Sequence, residues 1–161
     1  MMRLRLEDTA ATERLGAALA GSRPSRAVVH LQGDLGAGKS TLARALLRTL
    51  GVTGAIRSPT YTLVERYPLP EGGEALHLDL YRIGDAAELE FLGIDPGEAS
   101  LWLVEWPERG GAGLPPADLL MQLAIEGLGR RVDLTARTSK GEAWLALLAQ
   151  IPELGELPAP K

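Results

Sequence analysis

The run Gly33-Asp34-Leu35-Gly36-Ala37-Gly38-Lys39-Ser40 constrains this chain more than any other stretch. It follows an apolar strand-like segment, Ala27-Val28-Val29-His30-Leu31, and opens a helix-like one over 41–50. Glycines at 33, 36 and 38 admit backbone conformations closed to residues with a Cβ, so successive N–H groups can point inward and form a nest for phosphate oxygens. Lys39 can place its ammonium between β- and γ-phosphates, and Ser40 offers a hydroxyl to Mg²⁺. The N-terminus of the following helix adds a positive dipole end. The pattern in this setting predicts a nucleotide-binding P-loop, with Gly33, Asp34, Leu35, Gly36, Ala37, Gly38, Lys39, Ser40 and Thr41 as nucleotide contacts.

A length of 161 residues fits one domain, and 45% hydrophobic content fills a core of ordinary size. The expected organisation is a single P-loop ATPase domain over 1–150, then a proline-rich, frayed tail over 151–161. A helix over 9–20, capped by Thr9 or Thr12 and closed by Gly21, precedes the strand 27–32 and the helix 39–50. An extended stretch over 56–67 is interrupted at Ser58-Pro59-Thr60, where Pro59 keeps Ser58 out of helix. After the turn-rich 68–73 come a strand over 75–80, a helix over 86–92 stopped by Gly93, and a near-continuous apolar strand over 101–106. Segments 119–126 and 130–135 flank Gly127-Leu128-Gly129 as a hairpin, and 140–150 reads as a last helix with Trp144, Leu147 and Leu148 on one side. The fold class is α/β: a P-loop NTPase-like three-layer domain with a mainly parallel central sheet and a C-terminal antiparallel hairpin.

Hydrolysis needs acidic groups as well as a phosphate cradle. Asp79 ends Leu76-His77-Leu78 and Glu105 ends Leu101-Trp102-Leu103-Val104, so each stands where a strand emerges beside the nucleotide. Either can be the Walker B acid, and a metal ion or Arg82 must compensate them if they are buried. Thr60 occupies the place in the chain where switch segments supply a hydroxyl to Mg²⁺ or sense the third phosphate; a plain turn residue is the alternative. Trp106 stacks on a ligand, fills a partner interface or, most plainly, packs in the core. His30 and His77 lie in strand-like runs without metal-ligand spacing and read as packing or supporting residues. The chain has no asparagine, which removes the Asn-Lys-x-Asp element that reads guanine and favours adenine.

Several function classes are excluded by composition. A net charge of −4 and a pI near 5.3 give no overall pull toward DNA or RNA. Cysteine is absent, which removes disulfides, thiolate catalysis and sulfur-ligated metal sites. The first residues lack the apolar core of about 7 to 15 residues that marks a signal peptide, and no apolar run nears about 18 residues, so a soluble, cytoplasmic protein is expected, with no membrane contact.

Five blocks in order resemble one family: Gly33 to Ser40, Ser58-Pro59-Thr60-Tyr61-Thr62-Leu63-Val64-Glu65, His77-Leu78-Asp79-Leu80-Tyr81-Arg82, Glu88-Leu89-Glu90-Phe91-Leu92-Gly93, and Val104-Glu105-Trp106-Pro107. They are similar to the TsaE family, once called YjeE, the small P-loop ATPase of bacterial threonylcarbamoyladenosine synthesis on tRNA. The resemblance implies an Mg²⁺-dependent ATPase that supports turnover of a TsaD–TsaB complex and meets tRNA indirectly, through that complex. It implies that Lys39 holds phosphate, Ser40 and Glu105 hold Mg²⁺, Asp79 is a carboxylate needed for activity, and Thr60 lies on a switch-like loop. Lys39, Asp79 and Glu105 are thus the expected catalytic residues. Thr9 and Arg130 fall where the family's N-terminal segment and hairpin approach the nucleotide. Ser40 replaces the commoner threonine and keeps its hydroxyl. Two other functions fit the same loop: a small-metabolite P-loop kinase, for which the short 66–82 stretch lacks an arginine-bearing lid, and a nucleotide-gated assembly module with incidental hydrolysis.

Overall fold

The computed structural model describes all residues except 95, 96, 98, 152, 153, 155 and 158–161. In chain order the strands and helices are β1 (Met2–Leu6), α1 (Thr9–Ser22), β2 (Ala27–Gln32), α2 (Lys39–Thr49), β3 (Val64–Pro68), β4 (Glu74–Asp79), β5 (Ala99–Glu105), β6 (Leu119–Glu126), β7 (Gly129–Ala136), α3 (Ser139–Leu148) and the two-residue β8 (Glu156–Leu157). Short 3₁₀ helices cover Ala86–Leu92, Pro107–Arg109 and Gly111–Gly113. One sheet runs in the order β3-β4-β5-β2-β6-β7-β1-β8.

The sheet is mixed, which corrects the expectation of a mainly parallel one. Parallel pairing is confined to β4–β5, β5–β2 and β2–β6. The pairs β3–β4, β6–β7, β7–β1 and β1–β8 are antiparallel. A parallel pair needs a crossover of about a dozen residues or more, whereas tight turns at 69–73 and 127–128 join β3 to β4 and β6 to β7. Strand β1 was not anticipated either: Met2, Leu4 and Leu6 face the core while Arg3 and Arg5 alternate with them.

Helices α1, α2 and α3 all pack on one face, where Leu15, Leu19, Leu46, Leu47, Trp144 and Leu148 meet Val29, Leu31, Leu101 and Leu103 of the central strands. On the other face Leu76, Leu78, Trp102 and Val104 are covered by Ile83 and Leu89, so the third layer is built of 3₁₀ turns over β4 and β5. The 86–92 segment is 3₁₀ rather than α, and Gly93 ends it in the left-handed region at φ 65°.

Three local expectations change. Asp8, not Thr9 or Thr12, caps α1, its carboxylate accepting from Ala11 N at 2.8 Å, and the helix runs past Gly21 to Ser22. Leu147 is 48% exposed and does not share the buried side of Trp144 and Leu148. The expected frayed tail lies largely outside the described residues; within it Leu154 is buried and Glu156–Leu157 pairs with β1. Among the described residues no helix is long and apolar enough to cross a membrane.

Candidate functional site

The loop 33–38 joins β2 to α2 at the carboxyl end of the parallel strands. Gly33, Gly36 and Gly38 have φ of 150°, 82° and 105°. A Cβ on Gly33 would stand 2.4 Å from Leu123 O, so β6 backs the loop too closely for any side chain there. Gly38 is the N-cap of α2 and supplies no side-chain cap, which leaves first-turn N–H groups of that helix without a capping side chain. A helix start of this kind, behind inward-turning amides, is a ready anion site.

Lys39 is 5% exposed. Its Nζ donates to Gly33 O and to Asp34 O, the latter at 3.0 Å, and stands 4.6 Å from the centre of the Trp106 ring. Burial pushes its ammonium below the ordinary lysine range, opposed by the carboxylates of Glu105, Asp79, Asp34 and Glu108.

The two strand-end acids converge on the same point. Asp79 and Glu105 are register partners on the parallel strands β4 and β5, and both side chains lie on the α2 face. Both are buried, at 6% and 2% exposure. Ser40 Oγ donates to Glu105 Oε1 and Oε2 at 3.1 and 3.0 Å, and His77 Nε2 lies 2.6 Å from Glu105 Oε2. Asp79 accepts from Tyr81 N at 3.0 Å and from Thr60 Oγ1 at 3.4 Å, and Thr60 Oγ1 is 2.7 Å from Ser58 Oγ. Lys39, Ser40, Thr60, Asp79, Glu105 and Trp106 all border one cavity of about 210 Å³.

A second cavity of about 340 Å³ adjoins the first across Gly36, Gly38 and Thr41. Thr9, Thr12 and Arg130 line it, so the structure brings both Thr9 and Arg130 to the loop. Arg130 donates to Gly36 O at 3.0 Å and to Gly129 O at 2.9 Å. Leu35 borders the first cavity although it is 65% exposed, and Ala37 is packed in the core. Asp34 lies on the other side of the loop, where its side chain is exposed.

Not every role is as expected. Lys39 borders the same cavity as the two acids, while Arg82 sits 4.7 Å over the Tyr61 ring. Trp106 is only half-buried and adopts φ 57° and ψ 49°, a left-handed conformation uncommon for a bulky residue. It stands 4.9 Å from the Tyr81 ring and faces Lys39, so core packing is not its whole role. Of the two roles expected for His77, packing or support, its place two residues before Asp79 on the site's face and its contact with Glu105 give it the supporting one. Thr12 was missed; as the third residue after Thr9 it shares that helix face.

The donors gathered here are hard oxygens: the Ser40 and Thr60 hydroxyls and the Asp79 and Glu105 carboxylates. That set suits a small divalent cation such as Mg²⁺, and two adjacent buried carboxylates against one lysine leave negative charge for such an ion to offset. The Gly-rich nest next to it suits a polyanion.

The sequence model of a family described as "Threonylcarbamoyl adenosine biosynthesis protein TsaE" matches residues 6–132. The tRNA threonylcarbamoyladenosine biosynthesis protein TsaE of Haemophilus influenzae is 45% identical over 117 residues, covering 71% of this chain and 73% of that protein. Its Bacillus subtilis namesake is 38% identical over 137 residues, covering 81% and 80%. Among solved structures, Bacillus subtilis YdiB superposes with a TM-score of 0.73 at 25% identity, over 93% of this chain and 97% of that one.

Proposed function

The chain belongs to the TsaE family of tRNA threonylcarbamoyladenosine biosynthesis, and from that premise we propose that it is an Mg²⁺-dependent ATPase of the P-loop NTPase type that supports a TsaD–TsaB complex. The observation that supports this reading most is the meeting of Lys39, Ser40, Asp79 and Glu105 at the uncapped start of α2. In it, the amides of 33–41 receive the phosphates of ATP, and Lys39 exchanges its bonds to Gly33 O and Asp34 O for phosphate oxygens. The adjoining cavity beside Thr9, Thr12 and Arg130 receives the nucleoside.

Ser40 and Glu105 would hold Mg²⁺, which when bound neutralises charge on the β- and γ-phosphate oxygens. Asp79, beside Glu105 and tied to Thr60, accepts a hydrogen bond from the attacking water and orients it; Thr60 senses the third phosphate. Turnover of the isolated protein is slow. Near the site Arg130 is engaged with backbone carbonyls, and Arg82 and Arg109 lie against aromatic rings. A cation supplied by a partner is worth about 10³ to 10⁵ in rate in such reactions. Contact with tRNA is indirect, through that complex, in keeping with the acidic net charge of −4.

Calorimetry with ATP and ADP, with and without Mg²⁺, tests the reading, alongside Lys39→Ala and hydrolysis assays with and without TsaD and TsaB. Absence of nucleotide binding by the native chain, or hydrolysis that partners cannot raise, would overturn it.

A further inference from the structure

We propose that His77 is a positioning residue for Glu105, its imidazole holding one carboxylate oxygen so that the side chain stays turned toward Ser40 and the divalent cation that the pair would share. The inference rests on the nucleotide and cation reading above.

His77 precedes Asp79 by two residues on β4, so the pleat turns both side chains to the α2 face. Its register partner on β5 is Leu103, which places it diagonally behind Glu105, two positions inward from the strand ends. From there Nε2 meets Glu105 Oε2 at 2.6 Å, in the short range of a charge-assisted contact. Ser40 reaches the same carboxylate from α2. Glu105 is thereby gripped from two separate elements, one behind it and one in front.

Packing alone does not account for this histidine. Its side chain is 2% exposed, and Nδ1 has no hydrogen-bond partner among the described residues. A buried polar nitrogen left unpaired is a penalty that an apolar side chain of similar shape avoids. What an apolar side chain could not provide is the N–H aimed at Glu105. Donors standing behind a cation-binding carboxylate fix its orientation, and their loss typically weakens metal affinity about 10- to 100-fold.

Titration of the full chain with ADP across a range of Mg²⁺ concentrations tests the assignment, with thermal melts to confirm folding. Glutamine can set its amide N–H near the position of Nε2, whereas asparagine is too short to do so. His77→Leu and His77→Asn are expected to need at least about tenfold more Mg²⁺ for the same gain in ADP affinity, while ADP affinity without Mg²⁺ stays within about twofold. His77→Gln is expected to restore most of the Mg²⁺ response. If the leucine variant does not fold, the contrast between glutamine and asparagine carries the test. Wild-type Mg²⁺ dependence in the asparagine variant, or equal losses with and without Mg²⁺, would overturn the positioning role. Native protein that binds ADP without any response to Mg²⁺ would instead overturn the cation reading, and this inference with it.

Discussion

Asp79 and Glu105 leave adjacent parallel strands at the same register position and on the same face, both buried, with Lys39 as the cation that offsets them. Strand neighbours lie about 4.8 Å apart, so the two carboxylates stand close enough to repel. Such a pair serves a ligand better than it serves the fold.

Asp79→Asn should therefore separate stability from function. Neutralising one member relieves the repulsion while keeping a group that can bond Tyr81 N and Thr60. The ligand-free variant is expected to be as stable as wild type or more so, by up to about 1 kcal/mol, while hydrolysis falls by about 10² or more. Thermal melts without nucleotide and partner-stimulated turnover measure the two. A variant that loses both stability and activity would show that Asp79 is a structural acid.

Lys39 gives the site a pH dependence. Its folded pKa lies below the ordinary value of 10.5, so the unfolded chain holds that proton more tightly. The penalty of burying the charge is fully present below the lowered folded pKa and is relieved as pH rises from there to 10.5. The stability of wild type relative to Lys39→Met should rise through that window, as read by denaturant titration in parallel. ADP affinity should fall over the same window, because the neutral amine no longer attracts phosphate. Affinity that held constant up to 10.5 would mean an unperturbed lysine.

Much of this site was legible from local pattern. The loop 33–40 declares itself by glycine spacing, and Asp79 and Glu105 by ending apolar runs. What local pattern could not carry was direction and pairing. The hairpin turns at 69–73 and 127–128 reverse the outer strands, and β1 is defined by a partner far along the chain, with Arg3 bonded to Asp133. His77 reads as packing or support from local pattern, and which of the two it is depends on a bond to Glu105 that exists only once β4 and β5 are in register. Arg82 stood beside a metal ion as the expected compensation because it is nearer in sequence to Asp79 than Lys39 is.

The crossing of α1 and α2 predicts a pure stability effect. A Cβ on Gly16 would stand 2.6 Å from Ala45 Cβ and 2.9 Å from Leu46 N, so Gly16→Ala must push the helices apart. The expected loss is about 1–3 kcal/mol, or about 2–4 °C of Tm per kcal/mol. Adding Ala45→Gly should return part of it, since the closest clash is then gone. A melt unchanged by Gly16→Ala would mean that the crossing has slack.

Thr60 offers the sharpest test of how the third phosphate is read. Its hydroxyl is shared between Ser58 Oγ at 2.7 Å and Asp79 Oδ2 at 3.4 Å, a long bond that a better acceptor can replace. The backbone ties the same loop to the same acid: Asp79 N donates to Leu63 O at 3.0 Å and Leu63 N to Pro59 O at 2.8 Å, with Leu63 held at φ 67°. A γ-phosphate or its cation that draws the Thr60 hydroxyl away from Asp79 thus shifts Asp79 together with the loop. ADP lacks the phosphate that makes the exchange worthwhile. Thr60→Val should weaken ATP about tenfold and leave ADP within about twofold, because the lost bond is an ordinary one to a charged group of about 1.5 kcal/mol. Thr60→Ser, which keeps the hydroxyl, should match wild type for both nucleotides. Equal weakening of ATP and ADP by the valine variant would make Thr60 a part of the general cradle and not a sensor.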